Sequence, residues 1–125
     1  MQTHERHMLA FANLAGESRL KLQKQGELRF LLLTGTAACK GGFSNVTKHC
    51  FQRAITINPH HMIAKYESFE EALRSDDFLL LISRLDRFCT YEHAELLLEN
   101  IHPNWEDEGS TEIESICLVK LNAND

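Results

Sequence analysis

Leucine occurs 18 times in this chain of 125 residues, against 2 valines and 7 isoleucines. Leucine loses little rotamer freedom in a helix, whereas β-branched residues favour strands, so this imbalance predicts an all-α fold. The two prolines agree with it. Pro59 and Pro103 fall between apolar runs and interrupt none of them, as helix boundaries require. The chain is the size of one ordinary domain and 43% apolar, which is enough for a core and excludes low-complexity and collagen-like classes.

Apolar spacing then predicts the elements. Met8, Phe11, Ala12 and Ala15 recur at i, i+3, i+4 and i+7, giving an amphipathic helix that runs to about Lys24. Leu28, Leu31, Leu32, Gly35 and Ala38 mark a second helix, closed by Gly41-Gly42. Ser44 is the expected cap of a third, which carries Val46, Cys50, Phe51, Ala54 and Ile55 to the break at Asn58-Pro59, and a short element follows to Tyr66. Ser68 and Glu71 form a capping box. Asp76 and Asp77 open a helix with Phe78, Leu81, Ile82, Leu85 and Phe88 on one face, where both carboxylates complement the helix dipole. Thr90 caps a last helix that stops at His102-Pro103. The expectation is a compact bundle of five or six short helices built on helical hairpins. It fills residues 1–102 and is followed over 103–125 by an acidic, partly ordered tail. Within that tail residues 105–110 read as a loop, and Ile113 to Leu121, which has no clean period, is ambiguous between a partly ordered segment and a strand-like arm.

Charge is unevenly placed. The net −5 divides into +6 over residues 1–66, −6 over 67–102 and −5 over 103–125. The basic front half supplies a candidate partner-binding face made of Lys21, Lys24, Arg29, Lys40, Lys48 and Arg53, suited to an acidic protein or peptide. The acidic tail could fold across that face and compete with its partner. A second copy of the chain is a further possible partner.

Two families are resembled over overlapping residues. From Leu28 to His61, Gly35 stands at a small position of a first helix, Gly42 in the turn, Phe51 and Ala54 at aromatic and small positions of a second helix, and Pro59 at the terminal proline. That span resembles a single tetratricopeptide unit, with Leu31 a conservative replacement for the usual tryptophan and Ala38 and Thr47 departing from the pattern. The resemblance implies a helical surface that binds a peptide or protein without catalysis. Residues 37–53 also resemble a DNA-binding helix-turn-helix, with Ala38 in the supporting helix, Gly42 in the turn and Ser44 capping the recognition helix. That alternative implies nucleic acid as the partner.

The chemistry-bearing residues are sparse. Cys39, Cys50, Cys89 and Cys117 lie far apart behind no convincing signal peptide, so they read as reduced and the chain as cytoplasmic. Cys89 with His93, and Cys39, His49, Cys50, His60 and His61, lack the paired short spacings of zinc sites. No phosphate loop follows a strand. The longest uncharged apolar stretch, Phe30 to Cys39, is half a membrane span. The reading is therefore of a small non-enzymatic adaptor with no cofactor, no metal and no catalytic residues.

Overall fold

The structure is a computed structural model that describes residues 2–105 and 112–122. Seven α-helices follow one another among these residues: α1 (Thr3–Leu20), α2 (Lys24–Gly41), α3 (Ser44–Ile57), α4 (Phe69–Ala72), α5 (Asp76–Phe88), α6 (Tyr91–Ile101) and α7 (Ile113–Leu121), with a 3₁₀ turn (Met62–Lys65) before α4. No strand occurs among the described residues, and the all-α expectation holds.

Local signals set several of the helix ends. Ser68 Oγ accepts from the Glu71 amide at 3.1 Å, while the Glu71 carboxylate reaches back to the Glu67 amide at 2.6 Å. Thr90 Oγ1 accepts from the His93 amide at 3.1 Å. Gly42 has φ 80°, and the amide of Phe43 after it donates to the Ala38 carbonyl at 2.8 Å. This is the left-handed reversal that a glycine makes cheap. Helix α1 ends in the same reversal four residues before the expected point, with Gln23 N donating to Ser18 O at 2.9 Å. There the left-handed residue is Leu22, at φ 58°.

The core is built around α1 and α2. Residues 8 to 16 of α1 are all buried, so the helix is not the one-faced element that its spacing predicts. It packs along α2 and is covered elsewhere by α6 and α7. Ala10, Ala12, Ala15 and Gly16 let these neighbours approach closely, and the one amide among them, Asn13 Nδ2, donates to the Leu9 carbonyl at 2.9 Å. Helix α2 is buried continuously from Leu31 to Ala38, because Thr34 and Thr36 satisfy their hydroxyls on the carbonyls four residues back. Helix α3 lies along α2, and the start of α2 meets the end of α3 through Glu27 and Arg53. With a two-residue turn joining the helices, that pairing requires them to run antiparallel. Gly35, which the repeat resemblance sets at a helix crossing, meets the ring of Phe69 in α4.

Residues 113–121 form a helix, which replaces the strand-like alternative, and the described residues beyond 102 contribute to the core. Trp105, Ile113, Cys117 and Leu121 are buried in the same cluster as the earlier helices. The expected loop from Glu106 to Ser110 lies outside the described residues. Ser44 does not cap α3 either. It is the first helical residue, and the amides of Asn45 and Val46 donate instead to Glu114 Oε2 at 3.0 and 3.3 Å. The carboxylate satisfies orphan donors and complements the positive helix end from a distance of 69 residues in sequence.

Candidate functional site

Helices α2, α3 and α5 leave a cleft of about 390 Å³ between them. Its floor is Leu28 and Leu32, one turn apart on α2, together with Leu85 of α5. Leu81 forms the far wall, and Ile57 and Asn58 close the end where α3 stops before Pro59. Lys24 and Arg29 stand at the rim, both exposed. The geometry follows from the amphipathic stripe of α5. Its first residue, Phe78, is fully buried and packs edge-on against Phe69 at 5.7 Å between centroids. Leu81 and Leu85 then line the cleft, and Phe88 is 60% exposed. The stripe is longer than the surface that the described residues offer to cover it.

Arg29 is held in place by that exposed end. Its guanidinium carbon lies 4.9 Å from the centroid of the Phe88 ring, a cation–π contact that leaves the planar donor edge available to an anion. The opposite side of the cleft carries His61, whose Nδ1 accepts from the Ile63 amide at 3.0 Å and so begins the 3₁₀ turn. Burial holds this imidazole below its ordinary value.

The unfolded chain therefore binds a proton at His61 that the folded chain resists. The resistance operates from about pH 6.5 downward, until the lowered folded value is reached. Stability from this group is complete above that window and falls with pH through it. Protonation also removes the Nδ1 acceptor. His61→Asn, whose side-chain oxygen can accept from the amide two residues on, should flatten the fall in unfolding free energy between about pH 7 and pH 5. Urea titrations of both proteins at each pH measure it, and parallel slopes would contradict the assignment. His7 also lies below its ordinary value, chiefly through burial and then through His4. Its contribution has the same sign and remains in both proteins.

The six expected basic residues do not form one face. Lys24 and Arg29 come together at the cleft. Lys40 lies sixteen residues along α2 from Lys24, about 24 Å away, beside His4 and Asp86 in a separate cleft. Lys21 pairs with Glu17 at 3.4 Å just past the end of α1. Lys48 is exposed on α3. Arg53 is committed inward: Nε and Nη2 donate to the Glu27 carboxylate at 2.8 and 3.1 Å. Within the C-terminal segment, the described helix α7 packs on α1 and α3. The apolar members of the cleft were hidden in the sequence because a core leucine and a cleft leucine share one spacing. The only signal was the excess length of the α5 stripe.

Burial raises the thiols of Cys39, Cys89, Cys50 and Cys117, the last to about 12, so each holds less thiolate at neutral pH than a free cysteine. Among the described residues, no group of three or more His, Cys, Asp or Glu side chains could hold a metal ion. No helix among them is long and apolar enough to cross a membrane. Comparison with protein-family models, with curated proteins and with solved structures found no match for this chain.

Proposed function

We propose that this chain is a small cytoplasmic interaction module that docks an acidic amphipathic segment of a protein partner in the α2–α3–α5 cleft, without catalysis. The observation that carries this reading is the cleft itself, floored by Leu28, Leu32 and Leu85 and walled by Leu81, with Lys24 and Arg29 on its rim. An apolar trough with cations on its rim selects a segment whose leucine-type side chains repeat at helical spacing beside carboxylates. Four cysteines without a disulfide among them fit a reducing compartment. The antiparallel α2–α3 hairpin is what a repeat-type scaffold needs. For a DNA-reading α3, by contrast, Arg53 is withdrawn into an ion pair, and the helix N-terminus carries the Glu114 carboxylate, which opposes an approaching phosphate.

The test uses a synthetic amphipathic helical peptide with leucines on one face and glutamates flanking them. Amide shifts in the protein should concentrate on Leu28, Leu32, Leu81 and Leu85. Lys24→Glu with Arg29→Glu should weaken binding about tenfold or more and reverse the preference toward the same peptide with lysines in place of glutamates. Shifts scattered over the surface, or equal binding of both peptides, would remove the reading.

A further inference from the structure

Among the described residues no carboxylate lines the α2–α3–α5 cleft, although the chain as a whole carries a net charge of −5. Its closed end holds two side chains whose orientation is fixed. Asn58 Oδ1 accepts from the amide of His60, two residues on, at 3.0 Å. That bond assigns the oxygen, so the other arm of the side chain is the Nδ2 donor. His61 repeats the device: Nδ1 accepts from the Ile63 amide, which fixes the neutral tautomer and leaves Nε2 as an N–H donor. Both residues line the cleft and are partly exposed, and neither donor has an acceptor among the described residues. The start of α2 lies at the same end. Glu27 meets Arg53 there, and Lys24, one turn before Glu27, makes no ion pair among the described residues.

The two ends of a helix differ in what they ask of such a place. At the C-terminus the last four carbonyls lack internal partners and carry partial negative charge, whereas the orphan groups of an N-terminus are themselves donors. Two fixed N–H donors and a lysine suit the first and oppose the second. We infer, on the basis of the docking proposed above, that the partner helix lies with its C-terminal turn at Asn58 and His61, where Nδ2 and Nε2 donate to its final carbonyls and Lys24 faces the negative end of its dipole. The docked helix then runs antiparallel to α2. Asn58 and His61 set its direction, while the leucine floor and the rim cations set which side chains are accepted.

Nuclear magnetic resonance on the full chain tests this with the leucine–glutamate peptide, acetylated and amidated so that its termini carry no charge. A nitroxide at the peptide's C-terminus should broaden the signals of Asn58 and His61, and one at its N-terminus should spare them. The side-chain amide protons of Asn58 should shift on binding. Asn58→Ser keeps an oxygen that can accept from the His60 amide and removes the Nδ2 donor. It should weaken binding about fivefold with the thermal melt unchanged, and the two labels test the direction without any altered residue should this variant unfold. Broadening from the N-terminal label, equal broadening from both, unmoved Asn58 amide protons, or full affinity in folded Asn58→Ser would overturn the inferred direction and leave the docking reading standing. A peptide that shifts none of Leu28, Leu32, Leu81 and Leu85 would remove the docking reading, and the direction with it.

Discussion

Arg53→Ala should lower the stability of the fold by about 3–5 kcal/mol. The Glu27 side chain is only 2% exposed, and two parallel hydrogen bonds from the guanidinium compensate its charge. Alanine removes the compensation and leaves the carboxylate where α2 and α3 meet, so the loss measures a stranded charge more than a lost attraction. Two further proteins separate these terms. Arg53→Lys keeps the charge but not the two-point geometry, and should recover part of the loss. Glu27→Leu with Arg53→Met replaces the pair by apolar groups of similar size, and should be more stable than Arg53→Ala alone. Urea midpoints at constant slope report all three. A cost below about 1 kcal/mol for Arg53→Ala would show that water reaches the pair. The same residue was an expected partner contact, so any loss of binding in this variant has to be read against its loss of folding.

Gly35→Ala should cost about 3 kcal/mol. A methyl group there would lie 2.7 Å from Cζ of Phe69 and closer still to Cε2. The ring cannot easily retreat, because it is almost fully buried and rests edge-on against Phe78. Either α2 moves away from α4, or Phe69 leaves its rotamer and disturbs the start of α5. With Phe69→Leu in the same chain, the alanine has room and should cost at least about 1 kcal/mol less than in the unaltered background. Equal costs in the two backgrounds would show that the ring is not what the methyl meets. Because α5 forms one wall of the first cleft, this glycine also fixes how far that wall stands from the leucine floor.

What could be read from the sequence was what neighbouring residues decide among themselves. Gly42, Ser68 and Thr90 end or begin helices through bonds to atoms within a few residues, and spacing exposes such signals. The cap of α3 could not be read, since its acceptor is Glu114 and nothing near Ser44 announces it. Helix α7 hid for a different reason: apolar side chains around most of its circumference leave no period to detect. The burial of α1 on all sides depends on two helices from the far end of the chain. Charge singled out Lys24, Arg29 and Arg53 alike, and the sequence did not show that Arg53 turns inward, because its partner, Glu27, is a carboxylate that only the packing of α2 against α3 removes from water. Leu28, Leu32 and Leu85 belong to the core as their spacing implies; what the spacing does not say is that they also floor a cleft.

The enclosure of α1 bears on how the molecule comes into being on the ribosome. Residues 8 to 16 need α2, α6 and α7 around them, and α7 leaves the exit tunnel last of these. Until residue 121 has emerged, the nascent chain holds an N-terminal helix with bare apolar flanks, joined to an α2–α3 hairpin whose capping carboxylate has not yet been synthesised. Local hairpins form early in such a chain, but the cooperative unit closes only at its end. Synthesis halted past Ile101 would therefore leave the flank of α1 that α7 covers open to water.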